Sequence, residues 1–272
     1  MRRPFQVGGG LDESDTIIFF YYSIRIVSTK TFYHGLVIAD FDQIPFGCSV
    51  WPSFWTVGPN WPNNGEIDIV EGVNNKEMLA ISCFPPFRRH FMSGFRNQYT
   101  FHTGTNQKCS IPKRPPSIES GQAFIGQVMN TNCRSSSSNN AGCGFLDTNK
   151  SSFGRGFVKV GGGVFALLRN SGGIMIWHFE RQSIPHDVYS GYPNPDSWPA
   201  PNAFLSADNC AVDSSFSPQS FVLDIAICGG WATGDYPNSD CPGTCSQRVT
   251  RGRNYVGAYF MVYGLSCLSC KW

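Results

Sequence analysis

No apolar pattern in this chain runs far before Gly, Pro, Asn or Ser interrupts it. β-branched and aromatic runs recur at Ser23–Ser28, Gly35–Ala39, Gly65–Val70, Phe157–Val160, Ile174–Phe179, Phe221–Cys228 and Asn254–Tyr263, separated by turn-forming residues. That punctuation predicts an all-β chain of short strands and tight connections, a sandwich or a barrel. No window sustains a 3.6-residue apolar period, so helices should be few and short, and no internal repeat marks a solenoid or propeller. Composition agrees: 29 glycines, 18 prolines and 14% aromatics accompany only 15% charged residues, against roughly 25% charged in an average soluble protein. A chain of 272 residues fits one all-β core, so residues 1–272 are read as a single domain. The Ser135–Asn140 run reads as a solvated loop and Tyr192–Pro201 as an extended surface connection, with similar β-type runs on either side.

The 21 basic and 19 acidic residues leave a net charge of +2. Without a basic stripe there is no electrostatic footprint for nucleic acid. The longest apolar run, Ile17–Tyr22, stops at Ser23 and Arg25, far short of the ~20 residues of a membrane helix, so no membrane span is expected. Eleven cysteines favour an oxidising compartment, yet Met1–Pro4 leads into Gly8-Gly9-Gly10 rather than the apolar stretch of a signal peptide. An odd count also leaves at least one thiol unpaired.

The sharpest chemical feature is Gly65-Glu66-Ile67-Asp68-Ile69-Val70-Glu71-Gly72. In a regular strand Glu66 and Asp68 share a face while Glu71, an odd number of residues away, points to the other. One bulge between Asp68 and Glu71 repairs the parity, and bulges are over-represented beside active sites. Clustered carboxylates repel, which drives the pKa of one member upward. One acid held protonated beside one held ionised is the arrangement for glycoside hydrolysis, and the retaining version needs the two carboxyls about 5–5.5 Å apart. The middle Asp68 could share a proton with Glu66. The competing reading is a solvated edge strand with its acids on the wet face, against which Ile67, Ile69 and Val70 imply burial of the other face. Just upstream lie Trp51-Pro52-Ser53-Phe54-Trp55 and Trp61-Pro62. Flat rings stack on the apolar faces of sugars, although large aromatics more often fill cores. The expectation is Trp51 or Phe54 in the core and Trp55 or Trp61 in a cleft.

The stretch Gly47–Asn74, which joins the Trp-Pro-x-Phe-Trp approach to the Glu-x-Asp-x-x-Glu strand, resembles glycoside hydrolase family 16, in its fungal endo-1,3(4)-β-glucanase (laminarinase-like) branch. The similarity continues in Tyr99–Gly104, Gly142–Phe145, Gly161–Val164, Ile176–Phe179, Cys228–Ala232 and Cys241–Cys245, covering roughly residues 23–75 and 97–263. The resemblance implies a β-jelly roll of concanavalin A-like type, two curved antiparallel sheets with an open cleft across the concave face. It implies Glu66 as nucleophile, Glu71 as general acid/base and Asp68 as the nucleophile's helper, with His102 lining the cleft and Trp55, Trp61, Trp177 and Trp231 as sugar platforms. It further implies endo-acting, retaining hydrolysis of β-1,3- or mixed β-1,3/1,4-glucan, no cofactor and no metal in the site, a monomer, and an extracellular or cell-wall location. Two rivals stand beside it: a non-catalytic β-glucan-binding jelly roll, and a cell-wall transglycosylase that passes the glycosyl group to a sugar.

Three pieces depart from the family pattern. Lys76–Phe95 aligns with nothing and reads as a translated intron rather than a cleft-edge loop; residues 1–20 resemble neither a signal peptide nor N-terminal strands, as if a first exon were missing; and Ser266–Trp272 is unfamiliar. Setting aside Cys83, Cys267 and Cys270 in those pieces leaves an even set, Cys48, Cys109, Cys133, Cys143, Cys210, Cys228, Cys241 and Cys245, suited to disulfides in a secreted fold. Cys133 with Cys143 and Cys241 with Cys245 have the spacing of loop staples, while a zinc site at Cys241 and Cys245 lacks a second ligand pair.

Overall fold

The computed structural model describes residues 23–74, 96–118, 121–250, 252–255 and 257–268. In chain order its strands are β1 (Ile24–Phe32), β2 (Gly35–Gln43), β3 (Val50–Val57), β4 (Glu66–Glu71), β5 (Gln98–His102), β6 (Ser117–Ile118), β7 (Gly121–Gln122), β8 (Gln127–Asn130), β9 (Cys143–Leu146), β10 (Gly163–Asn170), β11 (Gly173–Glu180), β12 (Ala203–Ser206), β13 (Gln219–Ile227) and β14 (Met261–Leu268). Seven of them form one sheet in the order β1-β13-β3-β4-β5-β9-β8, and five form another in the order β12-β11-β10-β2-β14. Every strand pair in both sheets is antiparallel. The expected jelly-roll sandwich is the observed architecture.

The period-two alternation of side chains assigns each residue to a layer. Phe54 of β3, Tyr99 and Phe101 of β5, and Phe221 and Ile225 of β13 face the five-stranded sheet, where Val37, Ala39 and Phe41 of β2 and Phe165 and Leu167 of β10 meet them in one core. Rings interlock there, Phe41 with Phe54 at 5.5 Å and Phe54 with Phe221 at 5.8 Å. Burying each such side chain contributes about 1.5–3 kcal/mol. The alternate residues of the five-stranded sheet, Leu36, Ile38, Val164, Ala166, Trp177 and Phe179, form a second cluster on its outer face, roofed by Ile184, Val188 and Trp198. Strands covered on both faces carry near-continuous apolar runs, as Val164–Leu168 does.

Helices are short, as expected, the longest of the described residues being Gly229–Asp235. One sequence expectation fails: Phe157–Val160 lies in the helix Gly154–Lys159 and its cap. Four apolar residues are too few to separate the two periods, and here a single ring, Phe157, is wholly buried between Phe165 and His178. A second expectation shifts: the run Asn254–Tyr263 becomes strand only from Met261, and β14 then carries on through Ser266, Cys267 and Leu268 of the unfamiliar tail to pair with β2. The artefact readings of residues 1–20 and 76–95 concern residues outside those described.

All eight cysteines of the even set are paired: Cys48–Cys241, Cys109–Cys210, Cys133–Cys143 and Cys228–Cys245. Cys267, set aside above, is disulfide-bonded too. The staple expected between Cys133 and Cys143 forms. Cys241 and Cys245 do not bond each other; Cys245 opens the helix Cys245–Val249, and the two sulfurs reach separate partners, which also removes the zinc alternative.

Candidate active site

The acid-bearing strand β4 lies at the centre of the seven-stranded sheet, between β3 and β5. Gly65 leads into it with φ +80°, a conformation that favours glycine, and a Cβ there would lie 2.4 Å from the Phe216 ring. Along β3 the register runs Trp55 opposite Asp68 and then Phe54 opposite Val70, so Ile69 is the extra residue of a β-bulge. Ile69 and Val70 in succession both enter the core, and Glu71 is returned to the face that Glu66 and Asp68 occupy. The parity repair anticipated from spacing is therefore present at that position.

On this outer face lies an open cleft of about 620 Å³. Its floor is Glu66, Asp68 and Glu71 of β4 with Gln98, Thr100 and His102 of β5, and its sides include Trp51 and Trp55 of β3, Asp224 of β13, Asn130 of β8, and Trp231. His102 is 6% exposed; its Nε2 lies 3.2 Å from Asp68 Oδ2 and its Nδ1 2.8 Å from Ser135 Oγ. Gly142 makes room for it, since a Cβ there would fall 2.8 Å from the imidazole. Among the described residues, ligand atoms of Glu66, Asp68 and His102 gather within 4.8 Å of one another, a set that could hold a cation.

The tryptophans divide. Phe54, as expected, is core, but Trp51 is in the cleft, where its Nε1–H donates to Glu71 Oε1 at 3.1 Å. Trp61 stands at the rim, 36% exposed, and its Nε1–H donates to the Glu66 carboxylate. Trp55 lines the cleft with the Arg25 guanidinium 4.7 Å from its ring centroid. Trp231, carried by the helix Gly229–Asp235, meets Trp51 edge to face at 5.6 Å. That helix is tied down by the Cys228–Cys245 bond and by Asn74, whose Nδ2–H donates to Ala232 O at 2.8 Å. Trp177 is not a cleft residue. Its place in the β11 alternation puts it in the outer cluster of the other sheet, 3% exposed, with its Nε1–H donating to Pro199 O at 2.8 Å.

Burial dominates the electrostatics of the acids. Desolvation, reinforced by the charge of Asp68, lifts Glu66 from 4.5 to about 8, while His102 and the Trp61 N–H pull the other way. Desolvation lifts Asp68 from 3.8 to about 7, opposed by its hydrogen bond with Glu66. Glu71 is raised well above the usual carboxyl range, first by burial and then by the charge of Asp68. A carboxyl-to-carboxyl hydrogen bond requires a proton between Glu66 and Asp68. The cleft thus holds protonated and ionised carboxyls together near neutral pH, which is the requirement for acid-assisted displacement at an acetal.

Residues without a sequence signal also belong to the site. Ser135 opens the run read as a solvated loop, yet it is 1% exposed and bonded to His102. Asp224 faces the cleft from the β13 alternation, its carboxyl raised by burial and lowered by Arg25. Period-two counting from Phe221 could have found Asp224, once the cleft face of that strand was known.

The model of the XgeA-like catalytic domain of glycoside hydrolase family 16 matches residues 19–84 and 90–267, so most of Lys76–Phe95 falls inside the match. The chain is 40% identical over 248 residues to a probable glycosidase of Schizosaccharomyces pombe, covering 90% of this chain and 53% of the relative. It is 35% identical over 239 residues to an endo-1,3(4)-β-glucanase of Arthroderma benhamiae, covering 86% and 46% respectively. The chain thus spans about half the length of the curated relatives it matches. The solved structure of laminarinase 16A from Phanerochaete chrysosporium, with 6-O-glucosyl-laminaritriose in donor and acceptor sites, superposes with a TM-score of 0.74 at 31% identity, covering 89% of this chain and 74% of that one. With the bulged acid strand at the floor of its cleft and a family match over most of its length, the chain belongs to glycoside hydrolase family 16, in the fungal endo-1,3(4)-β-glucanase branch.

Proposed function

We propose that this domain is an endo-acting, retaining hydrolase of β-1,3- or mixed β-1,3/1,4-glucan, with Glu66 as nucleophile and Glu71 as general acid/base. The observation that carries the reading is the bulge at Ile69, which sets Glu66, Asp68 and Glu71 on the floor of one tryptophan-lined cleft. Glu71, held protonated by burial, gives its proton to the departing glycosidic oxygen while the Glu66 carboxylate attacks the anomeric carbon. The C–O bond to the leaving sugar breaks and a glycosyl ester on Glu66 forms. Glu71, now a carboxylate, takes a proton from water as that water attacks the anomeric carbon and expels Glu66, restoring both groups with net retention. Asp68, which shares a proton with Glu66, takes that proton up as Glu66 attacks, and the Trp61 N–H donates to the Glu66 carboxylate and favours its charge. The Trp51 N–H donates likewise to the Glu71 carboxylate. Trp55, Trp61 and Trp231 serve as the sugar platforms and His102 as the partner that holds Asp68.

The residues act as one domain and, in this reading, as a monomer without a cofactor. The disulfides support an extracellular or cell-wall setting, where such bonds persist. Reducing-sugar release from laminarin and from mixed-linkage barley glucan tests the proposal: the protein releases sugar and Glu66→Gln does not. Binding of glucan by a folded protein that releases no sugar would make it a binding module. Longer oligosaccharides in place of reducing ends would make it a transglycosylase.

A further inference from the structure

The bulge that aims Glu71 is held by a side chain outside the cleft. The β4–β5 ladder ends at Asp68 opposite Thr100, so Ile69 and Glu71 lie beyond the last residues that β4 pairs with β5. Asn97, the residue just before β5, fills the gap. Its Oδ1 accepts the Glu71 N–H at 3.0 Å and its Nδ2–H donates to Ile69 O at 2.8 Å. Both partners are backbone groups of fixed polarity, which leaves only one orientation for the amide. Asn97 is itself clamped. Its N–H donates to Ser152 Oγ at 2.9 Å, its carbonyl accepts the Asp147 N–H at 2.9 Å, and it is wholly buried.

We infer that Asn97 is a positioning residue for the acid/base: its amide locks the bulge between Ile69 and Glu71 and so fixes where the Glu71 carboxyl points. A regular strand in place of the bulge would put Val70 on the cleft face and turn Glu71 into the core, since one residue of slip exchanges the two faces. Ser53 opposite Glu71 holds the β3 side of the same segment, and Asn97 supplies the other side. Asparagine alone among side chains of this size offers one acceptor and one donor at the spacing of a peptide group. Asn97 is not among the residues that line the cleft, so its effect reaches substrate only through Glu71.

This inference rests on the assignment of Glu71 as acid/base, and the test separates the two. Values of kcat/KM are compared for wild type, Asn97→Ala and Asn97→Asp on a β-1,3-linked glucose oligosaccharide, whose leaving group needs a proton, and on a 2,4-dinitrophenyl β-laminaribioside, whose leaving group does not. Misaimed Glu71 should reduce the first by about 100-fold in Asn97→Ala, the lower range for loss of general acid catalysis, and leave the second within about fivefold. Equal losses on both substrates, or none on either, overturn the inference while leaving the wild-type activity, and with it the functional reading, intact. Asn97→Asp keeps the acceptor for Glu71 and loses the donor to Ile69, and guards against a misfolded alanine variant. A carbon-13 titration of the Glu71 carboxyl in wild type and Asn97→Ala, which adds no charge beside it, needs no turnover: return toward the ordinary carboxyl range supports the clamp, and an unchanged titration overturns it.

Discussion

Two tryptophan pairs in this molecule have nearly the same geometry and opposite surroundings. Trp51 and Trp231 meet edge to face at 5.6 Å and 88°, Trp177 and Trp198 at 5.3 Å and 86°. The first pair stands in the open cleft of the seven-stranded sheet, where the Trp51 N–H reaches a carboxylate. The second is packed into an apolar cluster on the outer face of the five-stranded sheet, where the Trp177 N–H reaches a backbone carbonyl. Ring geometry is common to a core and to an open cleft. What separates them is the cover over the rings and the charge beneath them: Ile184 and Val188 close one face, while Glu66, Asp68 and Glu71 floor the other.

Substitutions on the two faces sharpen or break that contrast. The largest effect belongs to Glu66→Gln, which should lower hydrolysis by about 10⁴-fold, the scale of losing a covalent nucleophile. The same variant should be more stable than wild type near neutral pH. With its value lifted from 4.5 to about 8, Glu66 binds its proton more tightly folded than unfolded. Its contribution is full below pH 4.5 and lost as pH rises toward 8, and glutamine escapes that loss. Thermal unfolding at pH 7 should show a gain on the order of 1–3 kcal/mol that vanishes near pH 4. A Glu66→Gln protein less stable at pH 7 would contradict the buried-acid picture.

Trp177→Ala should destabilise by about 3–5 kcal/mol, as for a buried aromatic, and leave kcat/KM of the folded fraction unchanged. Loss of activity at full stability would place Trp177 in function after all. Trp231→Ala should invert the pattern, with KM on laminarin raised about tenfold for one lost ring platform and little change in melting temperature. The smallest effect is in Asp68→Asn: removing the neighbouring charge lowers Glu66, so the acidic limb of kcat/KM should move down by about one pH unit. A limb that stays in place would show that burial alone sets it.

Much of the site was legible because it is local. Glu66, Asp68 and Glu71 lie within six residues, and the parity of a strand demands the bulge that the structure has at Ile69. The even set of eight cysteines is likewise paired throughout, but only Cys133–Cys143 joins its expected partner; Cys48 and Cys241 bond across a sequence separation of 193. Phe157–Val160 looked like strand because the run is too short to show its period, and its helix follows from where one phenylalanine ring must be buried. Asn97 had no signal, since an asparagine before a strand is ordinary until the ladder beside it ends.

The sequence by itself determined an all-β sandwich, an acid-bearing strand that must bulge, and a face on which tryptophans and carboxylates meet. These follow from period-two alternation and turn chemistry, which act within a few residues. Only the tertiary structure decided which sheet each tryptophan serves, which cysteines meet, and that Ser135 and Asn97 brace the histidine and the acid of the cleft. Those outcomes depend on strands distant in sequence becoming neighbours, as β13 does between β1 and β3, and pairing at that range is set by the burial of whole sheets rather than by the pattern of any one segment.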